Sequence, residues 1–200
     1  MTLPDIPLLT DDESQALLQV ARQAVVAATQ GQRHWQPKTS ALPAALLRPG
    51  ASFVTLHTRG RLHGCIGSVE ARLPLALDVA RNAQSAALDD PRFYPLAAED
   101  VDDTEIEVSV LTPMQPLTYT DLDDLVRQIR PGVDGVMVGR GWQRGLLLPQ
   151  VWKNLPDPTD FLTHVALKAS AAIDIYHHPD TTVHVFQIIS FTLLPANAVE

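Results

Sequence analysis

The stretch FVTLHTRGRLHGCIG, residues 53–67, decides the fold class. FVTLHT is rich in β-branched and aromatic side chains, Arg59-Gly60 supplies a tight turn, and RLHGCIG reads as the returning strand. With Arg59-Gly60 as a two-residue loop, Thr58 faces Arg61, His57 faces Leu62, Leu56 faces His63 and Val54 faces Cys65. Alternation along a strand then places His63 and Cys65 on one face with Val54 and Leu56, and His57 on the other with Leu62 and Ile66. A bulge at Gly60 would move this register by one residue. Neighbours two apart on a flat strand have Cα atoms roughly 6.5–7 Å apart, whereas a thiolate–imidazolium pair needs its heavy atoms within about 3 Å. The spacing therefore disfavours a local Cys65–His63 dyad. Gly64 and Gly67 bare the backbone on both faces, so a helix, another backbone or a ligand can approach closely.

Outward from this hairpin, the chain alternates strands and helices without a regular βαβ repeat. Thr10-Asp11-Asp12-Glu13 carries the capping-box pattern of a helix start, and Leu17, Leu18, Ala21, Ala24, Val25 and Ala28 follow its 3.6-residue period up to Gly31. Residues 32–50 read as connection, with a short helical piece at 43–47. A second helix is expected over residues 74–88, opened by Pro74, with the small inward positions Ala76, Ala80, Ala83 and Ala87 beside Val79. Asp89-Asp90-Pro91 ends it. TEIEVSVLTP (104–113) alternates, with Ile106, Val108 and Val110 on one face and Glu105, Glu107 and Ser109 on the other. A short acidic helix over 121–129, a second hairpin around Arg140-Gly141-Trp142-Gln143, a helix from Asp157 to about Ala172 and a long closing strand over 183–194 complete the reading. The class is α+β, with mainly antiparallel sheet and flanking helices.

The 200 residues, 46% hydrophobic and 19% charged, suit one globular domain, and no inter-domain linker stands out. A formal charge of −8 argues against non-specific binding to nucleic acid, although a local basic groove is compatible with it. The N-terminal residues lack the pattern of a signal peptide, and no apolar run is long enough for a bilayer. One cysteine cannot form an internal disulfide. These features point to a cytoplasmic protein.

Six segments, in order, carry a resemblance: LHGCIGS (62–68), NAQSAALDDPRF (82–93), EIEVSVLTP (105–113), RPGVDGVMV (130–138), GLLLPQVW (145–152) and DPTDFLTH (157–164). Together they closely resemble the AMMECR1 domain family, including its "AmmeMemoRadiSam system protein A" type, over about residues 10–195. Residues 1–9 stand as an N-terminal extension. The resemblance implies a larger and a smaller subdomain with a cleft between them, lined in part by LHGCIGS. It also implies association with a Memo-like protein and a radical-SAM-like protein, and it supplies no established reaction. The family motif usually has arginine where this chain has His63. Arginine stays protonated and is no general base, so the exchange favours a positioning role for His63.

The candidate site follows from these readings. If the protein is an enzyme, Cys65 is its least replaceable group, with His63 and Glu107 beside it. Gly64, Gly67, Ser68, Arg92 and Gln150 are the candidate ligand contacts. Each has a plainer reading: a buried thiol for Cys65, a solvated face for Glu105 and Glu107, turn chemistry for the Asp89–Phe93 loop, and strand termination for Gln150. The seven histidines show no zinc spacing, and the glycines of GVDGVMVGRGWQRG form no phosphate-binding fingerprint, so neither metal nor cofactor is expected. The expected function is binding of a ligand in the cleft, alongside the two partners. A non-catalytic adaptor is the alternative, and an RNA- or DNA-associated factor is a third class.

Overall fold

The computed structural model describes residues 9–197, so all of the expected N-terminal extension except Leu9 lies outside the described residues. Two compact units emerge. One is Thr112–Ile188, and the other combines the segments before and after it. The chain leaves the larger unit after Leu111 and re-enters it at Ile189, next to or within strands. That is why no Pro- or Gly-rich linker marks the boundary in the sequence.

In the larger unit, helix α1 (Asp11–Thr29) opens with both bonds of the capping box: the Thr10 hydroxyl accepts from the Glu13 N–H, and the Glu13 carboxylate accepts from the Thr10 N–H at 2.8 Å. Strands β1 (Pro49–Gly50), β2 (Ser52–Thr58), β3 (Arg61–Gly67), β4 (Leu73–Pro74) and β5 (Thr104–Leu111) follow, with α2 (Leu75–Leu88) between β4 and β5. A four-stranded sheet has the order β10-β5-β2-β3, where β10 is Ile188–Leu193, and β1 pairs with β4 in a small ladder. β2 runs antiparallel to both β3 and β5. The alanine stripe expected on the second helix is buried, as are Val54, Leu56, Ile106 and Val108 from the sheet face beneath it. Small side chains let α1, α2 and the sheet approach closely around one core.

The hairpin turn holds Arg59 at φ 51° and Gly60 at φ 73°. Two positive φ values characterise the tight turn whose twist matches the flanking strands. From there Thr58 pairs with Arg61 and His57 with Leu62, as expected, but the register then slips. Leu56 pairs with Gly64 and Thr55 with Cys65, leaving His63 as the extra residue of a bulge. The irregularity thus lies opposite Leu56–His57 and not at Gly60. Its cause is steric: Gly64 faces α2, where a Cβ would overlap the carbonyl oxygen of Ala86. Only the glycine can occupy that place, so Cys65 turns to the opposite face. Cys65 therefore sits with Thr55 and not with Val54, while Ile66 pairs with Val54 and packs on the core.

In the smaller unit, β6 (Gln115–Leu117), β7 (Gly135–Arg140), β8 (Gln143–Leu147) and β9 (Thr182–Phe186) form a sheet in the order β6-β9-β7-β8, with α3 (Leu122–Gln128) and α4 (Pro158–Lys168). The Trp152 ring stacks on Phe161 at 3.8 Å and its indole N–H donates to the Asp134 carbonyl at 2.7 Å. The final helix ends earlier than expected. Ser170 adopts φ 55°, and the following turn buries Ile175 and Tyr176. The expected closing strand is broken at Gln187, whose N–H donates to the Thr112 hydroxyl while its carbonyl accepts from the Thr112 N–H. β9 and β10 thereby enter different sheets.

Candidate functional site

One face of the larger unit's sheet is covered by the helices; the other is polar and partly open. Cross-strand pairing arranges the polar face in rows: Glu105–His57–Leu62, Glu107–Thr55–Cys65 and Ser109–Phe53–Gly67. Cys65 is half-buried, and its Sγ accepts the Thr55 hydroxyl at 3.2 Å. On the far side of Thr55, Glu107 accepts from the Ser109 hydroxyl at 3.1 Å, and Ser109 in turn bonds Ser190 at 2.7 Å. Cys65, Thr55 and Glu107 are brought together by pairing alone. The preference of a strand for alternating faces makes this row a direct consequence of the bulge.

β3 is an edge strand, so its outward backbone groups need partners. At Cys65 the loop after α2 supplies them. Asp90 accepts the Cys65 N–H at 2.9 Å, and Arg92 donates to the Cys65 carbonyl at 3.1 Å. The same guanidinium forks onto Asp90 through its Nε at 2.9 Å and Nη2 at 2.7 Å. Asp90 is only 5% exposed. The bonds from Arg92, assisted by the Cys65 N–H, outweigh burial and hold the Asp90 carboxyl well below the usual carboxylate range. The Arg92 guanidinium is correspondingly raised, chiefly by its bond to Asp90. Asp90 and Arg92 thus fix the Cys65 backbone on both sides and cap the sheet edge.

His63 does not serve the thiol. Its ring stacks on Phe93, with centroids 6.3 Å apart, and its Nε2 is buried with no hydrogen-bond partner. Arg92 lies over the same Phe93 ring, 5.3 Å from its centroid. Gly64 is occupied by its approach to α2, and Gly67 by the Phe53 ring, which a Cβ there would overlap. The Ser68 hydroxyl donates to Asp78 at 2.7 Å. Asp78 is itself 2% exposed and accepts from the Ser52 N–H and hydroxyl and from the Asn82 amide. Gln150 belongs to the smaller unit, exposed beside an open cavity of ≈ 420 Å³ that Trp152 and Lys153 also line. Among the described residues, no group of three or more His, Cys, Asp or Glu is placed to hold a metal ion, and no helix is long and apolar enough to cross a membrane.

Three residues that organise the site are not among the candidates that the sequence suggests. Thr55 appears there only as a strand residue. Asp90 appears only as turn chemistry, although a buried carboxylate next to Pro91 carries the edge cap. Asp78 left a visible signal: with Asn82, four residues on, it puts polar groups on the side of α2 that the alanines bury. A carboxylate there requires donors from the strands it meets.

The AMMECR1 family model matches residues 18–191. A protein of Methanothermobacter thermautotrophicus is 41% identical over 184 residues, covering 90% of this chain and 93% of its own. Protein MK0488 of Methanopyrus kandleri is 36% identical, with 90% and 87% covered. The crystal structure of uncharacterized protein PH0010 from Pyrococcus horikoshii aligns with a TM-score of 0.83 at 31% identity, over 96% of this chain and 97% of that one. Family match, relatives and fold agree along nearly the whole length, and this chain belongs to the AMMECR1 family.

Proposed function

We propose that this chain binds a ligand in a cleft lined by the Leu62–Ser68 segment and acts together with a Memo-like and a radical-SAM-like protein, with the thiol of Cys65 as a contact group at the binding surface. The observation that carries this reading is the row Glu107–Thr55–Cys65. A cysteine used only to fill a core sits among apolar side chains, whereas Cys65 is half-buried, bonded to a hydroxyl and clamped through its backbone by Asp90 and Arg92. A contact role is favoured over a nucleophilic one because the His63 ring is engaged with Phe93 and leaves the thiol without a base from its own strand.

The test uses the chain's single cysteine. The protein is labelled with iodoacetamide alone and in a mixture with the purified Memo-like and radical-SAM-like proteins of the same genome, and intact mass is followed over time. Co-elution of the mixture and a fall in the labelling rate of at least about tenfold are expected from occlusion of the thiol. Co-elution with an unchanged rate would place the contact away from Cys65, and absence of co-elution would overturn the partnership.

A further inference from the structure

The chain is acidic as a whole, yet residues 31–88 hold seven Arg and Lys side chains against only two carboxylates, Glu70 and Asp78. Asp78 is buried in its network with Ser52, Ser68 and Asn82, and Glu70 pairs with Arg72. Part of this basic segment surrounds a cleft of ≈ 180 Å³ between the chain after α1 and the outer side of α2. Trp35, Leu73 and Leu77 give it apolar walls, and Arg33 and Arg81 also line it.

The cleft is built rather than incidental. Gln84, 7% exposed, accepts the Trp35 N–H at 3.1 Å and donates to the Trp35 carbonyl at 3.0 Å, with a further bond to the Ala80 carbonyl. One side-chain amide thus fixes both backbone groups of Trp35 and holds its ring in place against the core. Leu77, Arg81 and Gln84 recur at the spacing of one helix face, so the α2 wall is equally fixed. Arg33 shares its charge with Asp89 at 3.1 Å, both more than half exposed and therefore weakly coupled. Among the described residues, the Arg81 guanidinium has no ion-pair or hydrogen-bond partner.

We propose that this cleft binds a small planar organic anion, one aromatic ring carrying a carboxylate or a phosphate. The indole and the two leucines offer a flat apolar surface to the ring, and the Arg81 fork matches either oxyanion in bidentate geometry. The volume suits the size: an apolar cavity of about 150 Å³ holds a benzene molecule. Neither the apolar walls nor the guanidinium alone selects such a ligand; their adjacency does.

The test is a titration of the full chain carrying Trp142→Phe, which removes the 84% exposed indole and leaves Trp35 as the indole that reports on this cleft. Benzoate and phenyl phosphate are added at low ionic strength, with benzamide as the neutral control and inorganic phosphate as the anion without a ring. Saturable change of Trp emission is expected with at least one aromatic anion below about 10 mM, with benzamide and inorganic phosphate each weaker by at least about tenfold. The tighter of the two aromatic anions identifies carboxylate or phosphate as the natural group. Arg81→Gln, on an exposed face, is expected to weaken binding at least about tenfold while leaving the circular dichroism unchanged. Equal binding of benzamide and benzoate, equal binding of inorganic phosphate and phenyl phosphate, indifference to Arg81→Gln, or no saturation by any probe would each overturn the proposal.

Discussion

The backbone N–H of Cys65 donates to the Asp90 carboxylate across 2.9 Å, joining the signature strand to the loop that follows α2. The bond closes a sheet edge that would otherwise expose an unpaired donor, and Arg92 closes the adjacent carbonyl.

Asp90→Ala is expected to lower stability by about 1–3 kcal/mol, because the Cys65 N–H loses its acceptor and Arg92 its anchor. Urea denaturation at neutral pH measures it. The pH dependence has a definite sign. A carboxyl held below its ordinary value stabilises the fold fully above the unfolded pKa of about 3.9, and that contribution is lost as pH falls below it towards the depressed native value. Wild-type stability should therefore fall more steeply below about pH 4 than that of Asp90→Asn.

Gly64→Ala is expected to cost about 1–3 kcal/mol or more, since the added methyl meets the Ala86 carbonyl, a backbone atom of α2 that cannot step aside. A drop in thermal midpoint with the helix content retained would fit; an unchanged midpoint would show that the strand and helix have room to separate.

His63→Ala is expected to leave the rate of Cys65 alkylation at neutral pH within about twofold, because the imidazole is stacked on Phe93 and not bonded to the thiol. A fall of about tenfold would instead identify His63 as the base. His63→Arg should preserve stability within about 1 kcal/mol, since a guanidinium also stacks on an aromatic ring.

Ser68→Ala is expected to act on stability. Its hydroxyl is committed to Asp78, and removing it should cost about 1 kcal/mol. Asp78→Ala should cost at least about 2 kcal/mol, leaving the donors of Ser52, Ser68 and Asn82 without their shared acceptor. Chemical denaturation of both variants separates these magnitudes.

Local chemistry made the hairpin, the capping box at Thr10 and the buried stripe of α2 legible in the sequence. The register beyond Leu62 was not legible, because it is set by the Ala86 carbonyl, which only the packed helix brings to Gly64. The break at Gln187 likewise depends on Thr112, far away along the chain. Cys65, Arg92 and Glu107 stood out as residues, but what joins them did not. Thr55 reaches the thiol only through the shifted register, and Asp90 reaches the strand edge only through the fold of its loop. Residues whose partners lie on their own element could be read; residues whose partners are supplied by another element could not.

Because the chain departs at Leu111 and comes back at Ile189, the sheet of the larger unit is finished out of order during synthesis. β2, β3 and β5 leave the ribosome early, but β10 arrives only after the whole Thr112–Ile188 segment has been made. At about 5–20 residues per second that interval is several seconds, during which β5 has no neighbour on one side. Its Glu105 and Glu107 place like charges on the waiting strand and discourage pairing between nascent chains.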